Sequence, residues 1–234
     1  MPVHNGGKTL RRSLDSLISQ TFKGSTQLIC VLNCCTDNSR EVIDEFTESD
    51  AYQKGNMNLD ILNSDEKGIV PALNKGILSA RYSLIARQDA DDLWYPEKLF
   101  KQALFMSANP GVGILGTQIR LVDQSGVPLS GIAKPNPCLD KDIKDALLRG
   151  HNPIAHPSVM FRKNILERSG MYDDLFPMAE DFWLWLKASK WHTFANLPDI
   201  LVDYTSTHNP DYTPNSPLLA SYCMTQVLNH FPKK

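Results

Sequence analysis

The stretch Leu84-Ile85-Ala86-Arg87-Gln88-Asp89-Ala90-Asp91-Asp92 runs from a short apolar segment into three carboxylates. Its first part predicts a buried strand over residues 84–88, so the acidic part stands at the carboxyl end of that strand. In open α/β sheets, ligands bind beyond the carboxyl ends of the strands. The stretch therefore predicts a polar site at one sheet edge, although the acidic run alone fits a solvated turn before the helix near Pro96 equally well.

Strands and helices alternate on the amino-terminal side of this stretch. The alternation is typical of right-handed βαβ units, so the predicted fold class is α/β, with an open, Rossmann-like, mostly parallel sheet covered by helices on both faces. The expected segments are a helix over 9–20, a strand over 27–32, a helix that starts near 36–39, a strand over 58–63 and a helix over 68–80.

The first strand of this sheet is absent from the pattern. The residues Met1-Pro2-Val3-His4-Asn5-Gly6-Gly7 resemble the end of a strand and the turn after it, with no apolar run in front of them. We therefore expect a sheet that lacks its first strand, and a true start upstream of Met1 is one explanation.

After Pro110 the pattern changes to separate strands, helices and polar loops. A chain of 234 residues can form one sizeable core, so we expect a single domain over 1–234 with two halves, 1–110 and 111–234. The predicted segments are a strand over 111–122, a helix over 140–148, a strand over 159–161, an amphipathic helix over 180–189 and a loop over 204–217 that contains His208.

The charge balance excludes several classes of partner. The formal net charge is −2, and no block of lysine or arginine is longer than two residues, which argues against nucleic-acid binding. No apolar run approaches the roughly 20 residues that span a bilayer, so at most peripheral membrane contact is expected. The 5 cysteines are odd in number and lack metal-site spacing, which favours a reduced, cytoplasmic setting.

Two clusters of acidic residues are candidates for metal binding or for proton transfer. Asp89, Asp91 and Asp92 repel one another unless a cation offsets their charge, and Mg²⁺ or Mn²⁺ prefers such oxygen ligands. Glu180-Asp181 adjoins Trp183 and Trp185, where desolvation could turn a carboxylate into a usable base, although first-turn carboxylates also stabilise helices. The sequence has no Gly-rich phosphate loop and no serine nucleophile elbow, which excludes the standard kinases, dehydrogenases and hydrolases.

Several motifs in a fixed order then resemble the family-2 inverting glycosyltransferases with a GT-A fold, in the branch that acts on bacterial surface polysaccharides. The resemblance covers nearly the whole chain, and its strength lies in the order because each motif alone is weak. The motifs are Pro2-Val3-His4-Asn5-Gly6, Thr36-Asp37-Asn38-Ser39, Ala72-Leu73-Asn74-Lys75-Gly76-Ile77, Ile85–Asp92, Asn152–Arg162, Gly170-Met171-Tyr172-Asp173 and Ala179-Glu180-Asp181.

This resemblance implies a role for each matching residue. The half 1–110 would bind a nucleotide-sugar donor, a UDP-sugar by expectation, and 111–234 a glycan or lipid-linked acceptor. Asp181 would be the catalytic base, Asp91 the ligand of a divalent metal (Mg or Mn), and Asp89 the ribose contact. The other donor contacts would be Pro2, His4, Asn5, Asn33, Asn74 and Arg87, and the acceptor side would include Glu180, His156 and Trp183.

The implied enzyme is a metal-dependent hexosyl- or N-acetylhexosaminyltransferase in polysaccharide or lipopolysaccharide synthesis, cytoplasmic or peripheral at the inner face of the membrane. Asn33 stands where the family usually has an aspartate that contacts the base, and an amide offers a donor and an acceptor without charge. Two alternatives stay open at this point: a catalytically impaired relative that binds nucleotide or glycan, and a sugar-nucleotide pyrophosphorylase of similar sheet.

Overall fold

The computed structural model describes residues 1–129, 135–176 and 179–206, and its first half alternates strands and helices as expected. The strands β2 and β3 lie within two residues of their predicted bounds, and helices α1 and α4 each begin one residue after the predicted start. The elements of this half are β1 Pro2–Val3, α1 Leu10–Ile18, β2 Thr26–Asn33, α2 Ser39–Thr47, α3 Asp50–Gln53, β3 Met57–Ser64, α4 Ile69–Ser79, β4 Leu84–Ala86, β5 Leu93–Trp94 and α5 Lys98–Ala108.

The second half combines one long strand pair with short helices. Helix α6 has the predicted bounds, whereas the long final strand was not predicted. The elements are β6 Val112–Val122, α6 Asp140–Leu148, a 3₁₀ turn His156–Ser158, β7 Met160–Arg162, a second 3₁₀ turn Lys163–Ile165, α7 Leu166–Ser169, α8 Glu180–Ala188 and β8 Thr193–Thr205.

The strands form two sheets. The first has the order β1-β2-β3 with parallel pairs only, which confirms the predicted α/β class with a parallel sheet and helices. The second has the order β4-β7-β6-β8-β5, in which only β6 and β8 run parallel. This second sheet is mixed, because β7 runs antiparallel to β4 and β6, and β5 runs antiparallel to β8.

The expected absence of the first strand needs correction. Pro2 and Val3 form a two-residue strand that pairs in parallel with Val31 and Leu32 of β2. The amino group of Met1 donates to Ile29 O at 2.9 Å, and burial lowers the pKa of that ammonium group. The carboxyl-terminal end of the first strand is therefore present, and it carries the polar turn that follows.

An apolar cavity of about 360 Å³, which we call the strand slot, lies between β2 and β4. β1 stands at one edge of the first sheet, and β4 stands at one edge of the second. No strand of the described chain joins these two edges. The amino-terminal part of β2 therefore has no partner on the β1 side within the described chain. The slot is lined by Leu28, Ile29, Leu73, Ile77, Leu84, Ile85, Ala86 and Leu99, among others.

Helix α8 is buried on nearly every side, which corrects the expectation of an amphipathic helix. Its apolar run from Phe182 to Leu186 is continuous, so no face is left for solvent. Trp185 is fully buried, and its ring meets the Phe161 ring edge-on with centroids 6.1 Å apart. This packing fixes the amino-terminal end of α8, which bears Glu180 and Asp181.

The predicted loop over 204–217 is wrong at its start, because β8 continues to Thr205. The rest of that loop, with His208, lies outside the described residues. Among the helices that are described, none combines the length and the apolar character needed to cross a membrane.

Candidate active site

A cavity of about 420 Å³ lies where β1 and β2 end and where the acidic run begins. It gathers six residues that the sequence assigned to donor or metal binding, from three separate segments. Those six are Pro2, His4, Asn5, Asn33, Asp89 and Asp91; Lys67, Gly68 and Ile69 close the cavity from the start of α4.

The turn after β1 is held by hydrogen bonds to the segment after β2. His4 Nδ1 lies 2.7 Å from Asn33 O, and Asn5 Oδ1 accepts from the Thr36 backbone N–H at 2.8 Å. Asn5 has a φ of 50°, a left-handed conformation that asparagine tolerates better than most residues. The two segments are thereby locked together, and their polar side chains face one cavity.

Asn33 is buried, and the protein itself uses its amide. Its Nδ2 donates to Glu66 O at 2.6 Å, and its Oδ1 accepts from Gly68 N at 3.3 Å. Gly68 has a φ of 121°, which a residue with a side chain rarely adopts. Asn33 thus shapes the cavity wall by fixing the loop between β3 and α4.

The acidic run is anchored from two directions. Ser13 Oγ of α1 donates to Asp89 O at 2.8 Å. From the end of β8, Thr205 Oγ1 donates to Asp91 O at 2.6 Å and Thr205 N donates to Asp92 Oδ1 at 2.7 Å. Asp92 therefore connects the turn to β8, whereas Asp89 and Asp91 face the cavity.

The three carboxylates are crowded. Each offers an oxygen within 4.8 Å of the others. Burial, and then the neighbouring Asp89, raise the pKa of Asp91 to about 6. The same two causes raise the pKa of Asp92, whose Oδ2 is buried without a hydrogen-bond partner. A divalent cation fits this set, since it would offset the repulsion and take up oxygens that no donor satisfies.

Arg87 does not line this cavity. Its side chain is 6% exposed and forms an ion pair with Asp89 through Nη1. The charge of the guanidinium also lowers the pKa of Asp181. Burial, which raises that pKa, and the hydrogen bonds, which lower it, have larger effects. Arg87 therefore lies between the acidic run and the carboxyl groups of α8.

Asp181 is held at the amino-terminal end of α8 by two hydrogen bonds. Asn152 Nδ2 donates to its Oδ2 at 2.7 Å, and Phe182 N donates to its Oδ1 at 2.7 Å. Burial raises the pKa of Asp181, and these two donors act in the opposite direction. Asn152 lies in a stretch that the resemblance includes, but its role as a partner of Asp181 was not predicted.

Glu180 and His156 lie behind Asp181. His156 Nδ1 is 3.6 Å from Glu180 Oε1, and His156 Nε2 is 2.8 Å from the Tyr172 hydroxyl. Ligand atoms of His156, Glu180 and Asp181 all lie within 4.8 Å of one another. The structure thus brings together three residues that the sequence had linked only through the resemblance, and adds Tyr172 to them.

Asn74 and Trp183 do not line the cavity. Asn74 Nδ2 donates to Tyr172 O at 3.0 Å, and its Oδ1 accepts from Tyr172 N at 3.2 Å, so the amide ties α4 to the segment before α8. Trp183 is 5% exposed, and its ring lies 4.3 Å from that of Phe176.

Comparison with known proteins places the chain in a family. The model of the glycosyl transferase family 2 matches residues 1–170. The chain is 30% identical over 242 residues to the O-antigen biosynthesis glycosyltransferase WbnJ of Escherichia coli, with 100% of this chain and 88% of that protein covered. It is 35% identical over 136 residues to the amylovoran biosynthesis glycosyltransferase AmsE of Erwinia amylovora, covering 58% of this chain and 49% of that protein.

Solved structures share the fold at lower identity. S. aureus TarS 1-349 in complex with UDP-GlcNAc superposes with a TM-score of 0.73 at 20% identity, covering 97% of this chain and 65% of that one. The mannosyltransferase PcManGT from Pyrobaculum calidifontis, in complex with GDP-Man and Mn²⁺, superposes with a TM-score of 0.67 at 17% identity. The superposition covers 99% of this chain and 68% of that one. The chain thus spans under two thirds of the TarS fragment. With its parallel sheet and a family match over 170 of 234 residues, the chain belongs to glycosyl transferase family 2.

Proposed function

We propose that this family-2 glycosyltransferase moves a sugar from a nucleoside diphosphate donor, a UDP-sugar, to a hydroxyl of a glycan or lipid-linked acceptor, with inversion at the anomeric carbon. One observation carries the proposal: the crowded carboxylates face a cavity, while a separately held carboxylate, Asp181, stands on α8. Relatives such as WbnJ and AmsE, named for O-antigen and amylovoran biosynthesis, support a role in surface polysaccharide synthesis.

The donor would occupy the cavity that Pro2, His4 and Asn5 line, with Asp89 near the ribose. Since the amide of Asn33 is engaged with Glu66 and Gly68, its contribution to base recognition would be the shape of the wall rather than a free side chain. Arg87 would hold Asp89 in place from the buried side. These roles rest on the positions of the side chains around the cavity.

Asp91 would hold a divalent metal, Mg²⁺ or Mn²⁺, because its carboxylate faces the cavity in a cluster whose charge is not balanced. When bound, the cation supplies Lewis-acid stabilisation of the charge on a departing diphosphate. PcManGT, which was solved with Mn²⁺, supports this expectation by analogy.

Asp181 would act as the base. Its two hydrogen-bond donors favour the ionised form, which can accept the proton of the acceptor hydroxyl as that oxygen attacks the anomeric carbon. A single displacement from the face opposite the leaving group inverts the anomeric centre, whereas a covalent glycosyl-enzyme would require a second step. The nucleoside diphosphate leaves from the cavity side.

The test is a release assay with the purified chain. UDP-Glc, UDP-Gal, UDP-GlcNAc, UDP-GalNAc and GDP-Man are each incubated with a panel of p-nitrophenyl glycosides, with Mn²⁺, with Mg²⁺ or with EDTA. We expect nucleoside diphosphate release and a new glycoside with at least one pair, lost in EDTA. Binding of donors without turnover across the panel would instead support the catalytically impaired relative. Family-2 membership decides against the pyrophosphorylase.

A further inference from the structure

Glu180 and Asp181 are adjacent carboxyl groups in a site from which water is largely excluded. Glu180 is 6% exposed, and both residues lie in the first turn of α8. Two carboxylates this close cannot both ionise cheaply, so such a pair shares a proton near neutral pH. The question is which of the two groups holds it.

The surroundings of the two groups differ. Both oxygens of Asp181 accept a hydrogen bond at 2.7 Å, from Asn152 Nδ2 and Phe182 N. Glu180 Oε2 is buried without a partner in the described chain, and Oε1 faces only His156 Nδ1 at 3.6 Å. An unpartnered buried oxygen is tolerated far better on a neutral carboxyl group than on a carboxylate.

His156 cannot supply a positive charge to Glu180. Burial, and then the nearby Arg87, lower the pKa of His156 well below its usual range, so its ring is neutral. Burial raises the pKa of Tyr172, so its hydroxyl keeps its proton and can donate to His156 Nε2. That bond puts the imidazole proton on Nδ1, facing Glu180 Oε1.

We propose that the shared proton resides on Glu180 and the charge on Asp181, and that His156 and Tyr172 are positioning residues that orient the Glu180 carboxyl group. The proposal deepens the proposed function, because it states which carboxyl group is available to accept a proton. In this scheme Glu180 does not accept the proton of the acceptor, since its free oxygen is buried without a partner in the described chain.

The remaining charges around the pair are consistent with this division. Arg87, from the end of β4, lowers the pKa of both Glu180 and Asp181, and Asp89 raises that of Glu180. Burial, and then the neighbouring Asp181, raise the pKa of Glu180 to about 7. Tyr172 and His156 complete the set of titratable groups that face Glu180.

The direct test is carboxyl ¹³C NMR of protein labelled at glutamate Cδ or at aspartate Cγ. The resonances are assigned by their loss in Glu180→Gln and Asp181→Asn. At about pH 6 we expect a protonated Glu180 and an ionised Asp181, with the Glu180 midpoint at about 7. Ionised Glu180 with protonated Asp181, or two ionised groups, would overturn the proposal.

The positioning role is tested by Tyr172→Phe against Tyr95→Phe. Tyr95 OH lies 3.2 Å from Asp203 Oδ1 in another part of the fold, so it is a matched control. Without the Tyr172 hydroxyl, the His156 proton is free to move to Nε2, and Nδ1 can then accept from protonated Glu180, so the Glu180 midpoint rises by about half a unit. An unchanged midpoint contradicts the role. If Tyr172→Phe does not fold, the ring ¹⁵N shifts of wild-type His156 decide: Nδ1 protonated supports the scheme, Nε2 protonated overturns it.

Kinetics separate this inference from the proposed function. With a donor and acceptor pair that the wild type uses, Asp181→Asn lowers kcat by roughly 10²–10⁴, and Glu180→Gln, whose amide is neutral like the protonated acid, lowers it less. A larger loss of kcat in Glu180→Gln than in Asp181→Asn, at full donor binding, overturns the assignment. A wild type that transfers nothing contradicts the proposed function, and the NMR result then still decides where the proton resides.

Discussion

The side-chain amide of Asn33 donates to the backbone carbonyl of Glu66 at 2.6 Å. A carboxylate at position 33 could not make this bond, because two acceptors would then face each other. The asparagine is therefore needed by the loop between β3 and α4, and not only by a ligand. This relationship links the choice of residue at the end of β2 to the shape of the donor-side cavity.

We predict that Asn33→Asp lowers the free energy of unfolding by roughly 1–3 kcal/mol, because the Glu66 carbonyl is left facing a carboxylate. It also weakens UDP binding, since the cavity wall moves. Chemical denaturation and calorimetry measure both effects. Asn56→Asp is the control, because that exposed amide makes only long bonds of 3.3 Å to Lys23 O and Gly24 O. Equal stability of the two variants would contradict the account.

Asp91→Ala should abolish the effect of Mn²⁺ on UDP binding. The substitution removes the carboxylate that faces the cavity, so we expect the affinity for UDP in Mn²⁺ to fall by about tenfold or more. Titration calorimetry with Mn²⁺ and with EDTA measures the change. Asp15→Ala, which removes an exposed ion pair with Arg11, should behave as the wild type does. Mn²⁺ dependence that survives Asp91→Ala would exclude this residue as the metal ligand.

Asp181→Asn should separate binding from transfer. The amide keeps the size of the side chain and cannot accept a proton, so UDP binds as before while kcat falls by roughly 10²–10⁴. Steady-state rates and calorimetry on the same sample provide the comparison. Asp145→Asn, in an exposed pair with Lys141, is the control. Full transfer activity in Asp181→Asn would refute its assignment as the base.

Lys98 should make stability depend on pH. Its side chain is fully buried, with Nζ 3.7 Å from the centre of the Trp94 ring, and burial lowers its pKa well below the usual value. Between the two pKa values the unfolded chain binds one more proton, so stability rises with pH by about 1.4 kcal/mol per unit.

In Lys98→Met, the rise in stability between about pH 7 and pH 9 should be smaller than in the wild type. Denaturation curves at both pH values measure it. Lys101→Met, at a solvent-accessible position of the same helix, should keep the wild-type slope. An unchanged slope in Lys98→Met would mean that Lys98 is charged in the folded protein.

Filling the strand slot should stabilise the protein. An engineered extension of about five alternating Val and Ile residues before Met1 can pair with β2 and β4, and it also removes the buried ammonium charge. We expect a higher Tm than with a Gly/Ser extension of equal length, which removes the same charge without packing. Equal Tm values for the two extensions would show that the slot does not accept a strand.

Much of the fold follows from local patterns. The apolar runs of β2 and β3 and the periodicity of α1 and α4 are signals within a single segment, and their bounds were predicted closely. β8 escaped prediction because Pro198 and polar residues such as Asn196 and Asp203 interrupt its pattern. Its place between β6 and β5 depends on pairing over long sequence separations, which no local pattern contains.

The site was predictable to a similar degree. The residues at strand ends, such as His4, Asn33 and Asp91, meet at one cavity because the carboxyl ends of parallel strands share an edge. Arg87, Asn74 and Trp183 do not line this cavity, because burial and hydrogen bonding decide where they lie. The partnership of Asn152 with Asp181 spans 29 residues and requires the tertiary structure.

The hydrogen bonds from Thr205 to the acidic run have a consequence for biosynthesis. They close contacts over 113 and 114 residues, so the backbone carbonyl of Asp91 and the side chain of Asp92 gain these partners only after β8 has left the ribosome. Loop closure over such distances is slow compared with the local steps that build α1 or the β2–β3 pair. A nascent chain that ends before β8 would therefore carry the residues that line the cavity without the last anchors of the acidic run.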